Sequence, residues 1–255
     1  MQIQATFLGL AAGALIGATG VGAGSLMTPL LLAVFRLDLP VAIGTDLWFA
    51  ALTKFSGAVA HQRHGHVDRG IAGLMLAGSL PAALVTLAAM HVSGAGKAWF
   101  GVLSLALGVA LLLTAAAVMS RGFWQRLALR LETRLPPARK PGLTIALGAL
   151  LGVLVTLSSV GAGAIGSLCI LLLYPRLPTR QLVGTDIAHA VPLTLVAGIG
   201  HAALGHVDGP LLLALLLGSV PGIWLGAQLT RFLPERMTRV LLSATLAFAG
   251  FKIIA

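Results

Sequence analysis

The chain has 255 residues, of which 58% are hydrophobic and only 9% charged, with a formal charge of +10 and a mean hydropathy of +0.98. A soluble domain carries about 25% charged residues, so this composition cannot cover a water-facing surface and points to a polytopic, all-α membrane protein. The positive charge sits mostly in short loops between apolar stretches, where it orients a protein in a bilayer rather than binding nucleic acid. The single cysteine, Cys169, excludes an intrachain disulfide and a cysteine metal cluster.

In chain order the apolar stretches are 4–35, 41–60, 70–91, 98–119, 142–174, 182–202, 210–230 and 237–254. Most match the roughly 20 residues that cross about 30 Å of hydrocarbon. Met1-Gln2-Ile3-Gln4 lacks a basic leader region, so the first stretch is expected to be mature protein. The first and fifth are too long: 32 helical residues would reach about 48 Å. Each carries central glycines, Gly17, Gly20, Gly22 and Gly24 in one and Gly161, Gly163 and Gly166 in the other. Each is expected to be two helical halves joined by an unwound turn, which membrane depth tolerates only beside protein or a polar cavity. Close helix packing on glycine is the competing explanation.

The order of motifs repeats. Val21-Gly22-Ala23-Gly24 returns as Val160-Gly161-Ala162-Gly163, at an offset of 139 residues. Gly44-Thr45-Asp46, His61, Gly65-His66-Val67-Asp68 and Gly78-Ser79-x-Pro81 return at an offset of 140 as Gly184-Thr185-Asp186, His201, Gly205-His206-Val207-Asp208 and Gly218-Ser219-x-Pro221. The expected organisation is a first membrane repeat over 1–119, a basic linker over 120–141 and a second repeat over 142–255. Internal duplication in an apolar chain broken by Gly and Pro is a transporter signature.

The linker holds Arg121, Arg126, Arg130, Arg134, Arg139 and Lys140 against Glu132 alone, which places it on the cytoplasmic side. If segments 1 and 5 each cross once, the halves are parallel and seven basic residues lie outside: Arg36, Lys97, Arg176, Arg180, Arg231, Arg236 and Arg239. If each is a helical hairpin, the halves are inverted and three remain outside, Arg36, Lys97 and Lys252. The second count fits the positive-inside rule better. The expectation is an inverted repeat, each half a hairpin plus three transmembrane helices, with both termini outside.

Lys54 lies deep in an apolar stretch, where a charge is costly and marks a substrate path or an ion pair. His61 falls about 20° from it around a helix. Gly22, Gly24 and Ser25, before Thr28-Pro29, look like a helix start that Ser25 can cap. Ser158, Ser159, Gly161 and Gly163 form the partner motif. Two such starts offer N–H groups and positive dipole ends to an anion. Asp46 and Asp186 read either as caps opening the second helix of each half or as gating carboxylates. His189, three residues after Asp186, makes a candidate proton relay, and His61 and His201 are further coupling candidates.

The clusters His61/His64/His66/Asp68 and His201/His206/Asp208 have residue types that suit a metal, and a membrane-embedded metal-dependent enzyme is the alternative reading. Their spacing matches no common metal motif, and Asp68 and Asp208 read as helix N-caps. The Pro residues at 81, 192 and 221 are expected to kink their helices.

These duplicated blocks together resemble the sulfite exporter TauE/SafE family of membrane permeases, over nearly the whole chain. The resemblance implies transport of a small sulfur-containing anion, such as sulfite or an organosulfonate, across the bacterial cytoplasmic membrane. The residues independently suggest a small anion, alternating access around a midplane site, and protons as coupling ion. No P-loop is present and nothing in the chain asks for a cofactor, so a transporter rather than an enzyme is expected.

Overall fold

The computed structural model describes residues 2–19, 26–93, 97–229 and 235–254. They are mostly helical, with short turns and one unwound segment between the helices and no strand among them. The first half contains α1 (Gln2–Thr19), α2 (Met27–Phe35), α3 (Leu39–Arg63), α4 (Arg69–Val92) and α5 (Lys97–Met119). The second contains α7 (Lys140–Ser158), α8 (Ala164–Leu173), α9 (Thr179–Ala203), α10 (Gly209–Leu229) and α11 (Glu235–Ile254). Between them lies α6 (Arg121–Glu132), so the basic linker is itself largely helical, a feature its hydrophilic composition concealed. Spans long and apolar enough to cross a membrane are Arg69–Val92, Trp99–Met119, Pro137–Ser158, Thr179–Ala203 and Gly209–Gly226, and the remaining apolar helices include Gln2–Gly17, Ala164–Leu173 and Leu242–Ile254.

The break in the fifth apolar stretch is present. α7 ends at Ser158 and α8 starts at Ala164. Between them Ser159 adopts φ 60°, and Gly161 and Gly163 adopt φ 120° and 153°. The left-handed region is what glycine tolerates without a Cβ penalty, so this backbone requires glycine at both sites. In the first half, α1 and α2 flank residues 20–25. Gly22, Gly24 and Ser25, and with them the expected Ser25 cap, lie outside the described residues. Pro81, Pro192 and Pro221 each lie inside a continuous helix.

The packing pairs a helix of one half with a helix of the other: α1 with α10, α4 with α7, α5 with α11, and α3 with α9. The last pair occupies the interior. α3 carries Asp46 and Lys54 on its buried side, and α9 carries Asp186, His189 and His201 on its own. Gly44, near the start of α3, lies against the His206 carbonyl beyond the end of α9. Gly184, near the start of α9, lies against the His66 carbonyl beyond the end of α3. The two helices therefore meet start to end, at both ends, through matching residues of the duplication. Two hydrogen bonds fasten these ends: Asp68 N donates to Thr185 Oγ1 at 2.9 Å, and Asp208 N donates to Thr45 Oγ1 at 3.0 Å.

Candidate functional site

Asp46 and Asp186 do not cap their own helices. α3 begins at Leu39 and α9 at Thr179, which puts both carboxylates about two turns inside. The expectation that Gly-Thr-Asp opens a helix fails because Leu39-Pro40 and Thr179-Arg180 already supply the first turn, with proline in the first turn of α3. The carboxylates reach sideways instead. Asp46 Oδ2 accepts from Thr28 N at 3.1 Å and from Thr28 Oγ1 at 2.5 Å, holding the first turn of α2. Asp186 Oδ2 accepts from Ser167 Oγ at 2.9 Å, holding the first turn of α8. Thr28 and Ser167 are equivalent in the duplication, so one device serves both halves: a buried carboxylate on the long helix anchors the short helix after the break. Negative charge near a helix start is electrostatically favourable. In each carboxylate the other oxygen, Oδ1, is buried without a partner among the described residues.

Lys54 stands midway along α3 and is 9% exposed, the only buried lysine or arginine among the described residues. Its ammonium donates to the Ala162 carbonyl oxygen, in the unwound segment between α7 and α8. Asp186 and Asp46 are the two carboxylates whose fields act on it, yet neither forms an ion pair with it within 4.0 Å. One cation on the first half thus touches the broken backbone of the second, between the anchors of both short helices. An ammonium has three N–H donors; one goes to Ala162.

His189 is fully buried on α9. Its Nε2 lies 2.9 Å from Ser79 Oγ on α4, and its Nδ1 has no partner among the described residues. It makes no hydrogen bond to Asp186, so the pair expected from their spacing is not a direct relay in this conformation. Ser159 Oγ is likewise buried and makes no hydrogen bond within 3.5 Å among the described residues, although it lies near enough to Asp46 to act on that carboxylate, whereas Ser158 Oγ is used locally, on the Leu154 carbonyl at 2.6 Å.

The histidine clusters lie at the two turns that follow α3 and α9. Asp68 and Asp208 are N-caps, as their sequence position suggests: Oδ1 of each accepts a backbone N–H three residues on, from Ile71 and Leu211, at 3.0 Å. His201 is buried with Nε2 2.9 Å from the Thr156 carbonyl, and its Nδ1 lies 3.4 Å from His206 Nδ1. His61, its counterpart, is half-buried near the His66 ring, 5.6 Å between centroids. Among the described residues no three His, Cys, Asp or Glu side chains are grouped closely enough to hold a metal ion.

The sequence named Thr28, Thr45, Thr185, Ser79 and Ala162 only as members of motifs, without their roles at this site, and did not single out Ser167. The duplication carried a signal for four of them, because hydroxyls recur at 28/167 and 45/185 at the same offsets as the motifs.

A family model described as "Sulfite exporter TauE/SafE" matches residues 5–253. The chain is 34% identical to the "Probable membrane transporter protein YjnA" of Bacillus subtilis (strain 168), over the whole of both chains. It is 26% identical to the "Probable membrane transporter protein YdhB" of the same organism, covering 95% of this chain and 96% of that one. It is 28% identical to a "Probable membrane transporter protein" of Xylella fastidiosa (strain 9a5c), covering 91% and 88%. No solved structure matches the chain. With its all-helical architecture and several membrane-crossing spans, the chain belongs to the sulfite exporter TauE/SafE family of membrane transporters.

Proposed function

We propose that this protein is a secondary transporter of a small sulfur-containing anion, sulfite or an organosulfonate, across the bacterial inner membrane. The observation that carries the reading is Lys54: a buried cation halfway along an interior helix, bonded to the broken backbone of the opposite half and without a carboxylate ion pair among the described residues. A charge kept at that depth is expensive and is retained for a substrate or ion path. The two N–H groups not used on Ala162 suit an oxyanion; Ser158, Ser159, Gly161 and Gly163 flank Ala162 in the chain, and Gly22, Gly24 and Ser25 are the corresponding sequence in the first half. The sulfur anion itself rests on the family's description.

Alternating access would work by rocking one half against the other around this point. The start-to-end contacts of α3 with α9, and the pairing of α1 with α10 and α4 with α7, support an inverted repeat with the basic linker in the cytoplasm and both termini outside. An anion entering beside Asp46 and Asp186 adds negative charge where the dielectric is low. A proton taken up by Asp46, Asp186, His189, His61 or His201 would offset it, which makes protons the favoured coupling ion.

The test is Lys54→Met, compared with Lys54→Arg, in proteoliposomes loaded with labelled sulfite or sulfoacetate. Met should abolish substrate binding and uptake while thermal unfolding stays cooperative, and Arg should retain part of both. Undiminished uptake by the Met variant would end the proposal.

A further inference from the structure

We propose that the hollow between α6 and the start of α7 binds the glycerophosphate headgroup of an anionic phospholipid. The hollow holds about 450 Å³ and is lined by Arg134, Leu135, Pro136, Ala138, Arg139 and Leu143, with Gly142 completing its floor. That volume is in the range of small-molecule sites, about 300–1,000 Å³. The span formed by α7 begins at Pro137, so the hollow opens where the apolar helix enters the bilayer, at headgroup depth.

Its charge is uncompensated for an identifiable reason. Glu132 is the one acid in the linker. It accepts from Arg176 Nε at 2.9 Å and faces Lys140 Nζ at 3.8 Å. Lys140 is further held over the Tyr174 ring, 5.6 Å from its centroid. Glu132 is therefore committed away from the hollow, and neither Arg134 nor Arg139 has an ion pair among the described residues. Two guanidinium groups on the rim of one concavity match a phosphodiester, which each can bind through paired N–H donors.

The surroundings select a lipid as the source of that phosphate. The floor is apolar, which suits the glycerol and the first methylenes rather than a hydrated free ion. Directly below, Leu143 and Leu150 are 39% and 61% exposed and lie seven residues apart on one face of α7, a track for acyl chains. On the other side α6 packs against α8 and buries Ala128, while Phe123 and Leu129 stay exposed among Arg121, Arg126 and Arg130. That is the pattern of a helix lying in the membrane interface, and basic pockets at the ends of spans take anionic headgroups.

The experiment is native mass spectrometry of the full-length protein released from nanodiscs of mixed phosphatidylglycerol and phosphatidylcholine, counting retained lipids of each kind. The wild type should retain phosphatidylglycerol preferentially. R134Q/R139Q should lower that preference roughly tenfold, and each single substitution should lower it partially. R63A/R69A, which removes the same charge at a different turn, should leave it intact. The singles decide the matter if the double variant does not fold. Unchanged preference in R134Q and R139Q, or an equal loss in R63A/R69A, overturns the proposal. So does displacement of the lipid by millimolar inorganic phosphate, which would make the hollow a free-anion site.

Discussion

Replacing Gly44 or Gly184 with alanine tests the meeting of α3 and α9 directly. A Cβ at Gly44 would stand 2.9 Å from the His206 carbonyl carbon and 3.1 Å from the His201 Cβ. At Gly184 it would stand 3.0 Å from both His61 Nδ1 and the His66 carbonyl carbon. In both cases the nearest atom is the carbonyl oxygen itself, that of His206 or of His66, well inside van der Waals contact, so either substitution must open its end of the pair by at least about 1 Å. Overpacking of this kind costs about 1–3 kcal/mol. For a chain of this size 2 kcal/mol corresponds to roughly 4–8 °C in Tm.

The assay is thermal unfolding in detergent followed by tryptophan fluorescence. Trp48 is a built-in reporter, since its Nε1 donates to the Gly198 carbonyl at 2.9 Å across the same helix pair. Gly57→Ala in α3 and Gly73→Ala in α4 are the controls, because a Cβ at either meets nothing within 4 Å. They should be neutral or stabilising by up to about 1 kcal/mol from helix propensity. Gly44 and His61 are 17 residues apart on one helix, about 25 Å. The two alanine effects should therefore add to within about 0.5 kcal/mol in the double variant. If Gly44→Ala and Gly184→Ala leave Tm where the controls leave it, the close start-to-end contact is refuted.

Other outcomes follow from the same geometry. Thr185→Val keeps shape but leaves Asp68 N without its acceptor, and Thr45→Val does the same to Asp208 N; each should cost about 1–2 kcal/mol by thermal unfolding. If the two variants differ widely, the two ends are not equivalent latches. His206 lies in the turn after α9, where burial pushes its imidazole below the ordinary value of 6.5. Its folded form favours the neutral ring, so the stability it contributes is present above pH 6.5 and lost as pH falls from there towards the folded value. His201 Nδ1, 3.4 Å away, is the titratable neighbour it faces. His206→Gln should flatten the loss of Tm between pH 7 and pH 5, and an unchanged pH profile would remove His206 from the account.

Much of the molecule was legible in its sequence for local reasons. Composition dictates a membrane environment, because so few charges cannot solvate a surface. Asp68 and Asp208 announce helix starts because a cap acts over three residues, and both make those bonds. The break before α8 follows from a stretch too long to cross once and from glycines that accept positive φ. The duplication told which residues are equivalent across the halves.

Equivalence is not contact, and only the tertiary structure decided contact. Asp46 and Asp186 look like caps in sequence, yet they anchor α2 and α8 from the side. His189 is spaced to meet Asp186 but turns to Ser79, 110 residues away. Lys54 finds its partner in Ala162, 108 residues on, as a backbone carbonyl that only an unwound helix leaves free. The physical reason is the same in each case. Helical periodicity fixes the face on which a side chain lies, whereas its partner depends on which helix of the other half is packed against that face and at what height.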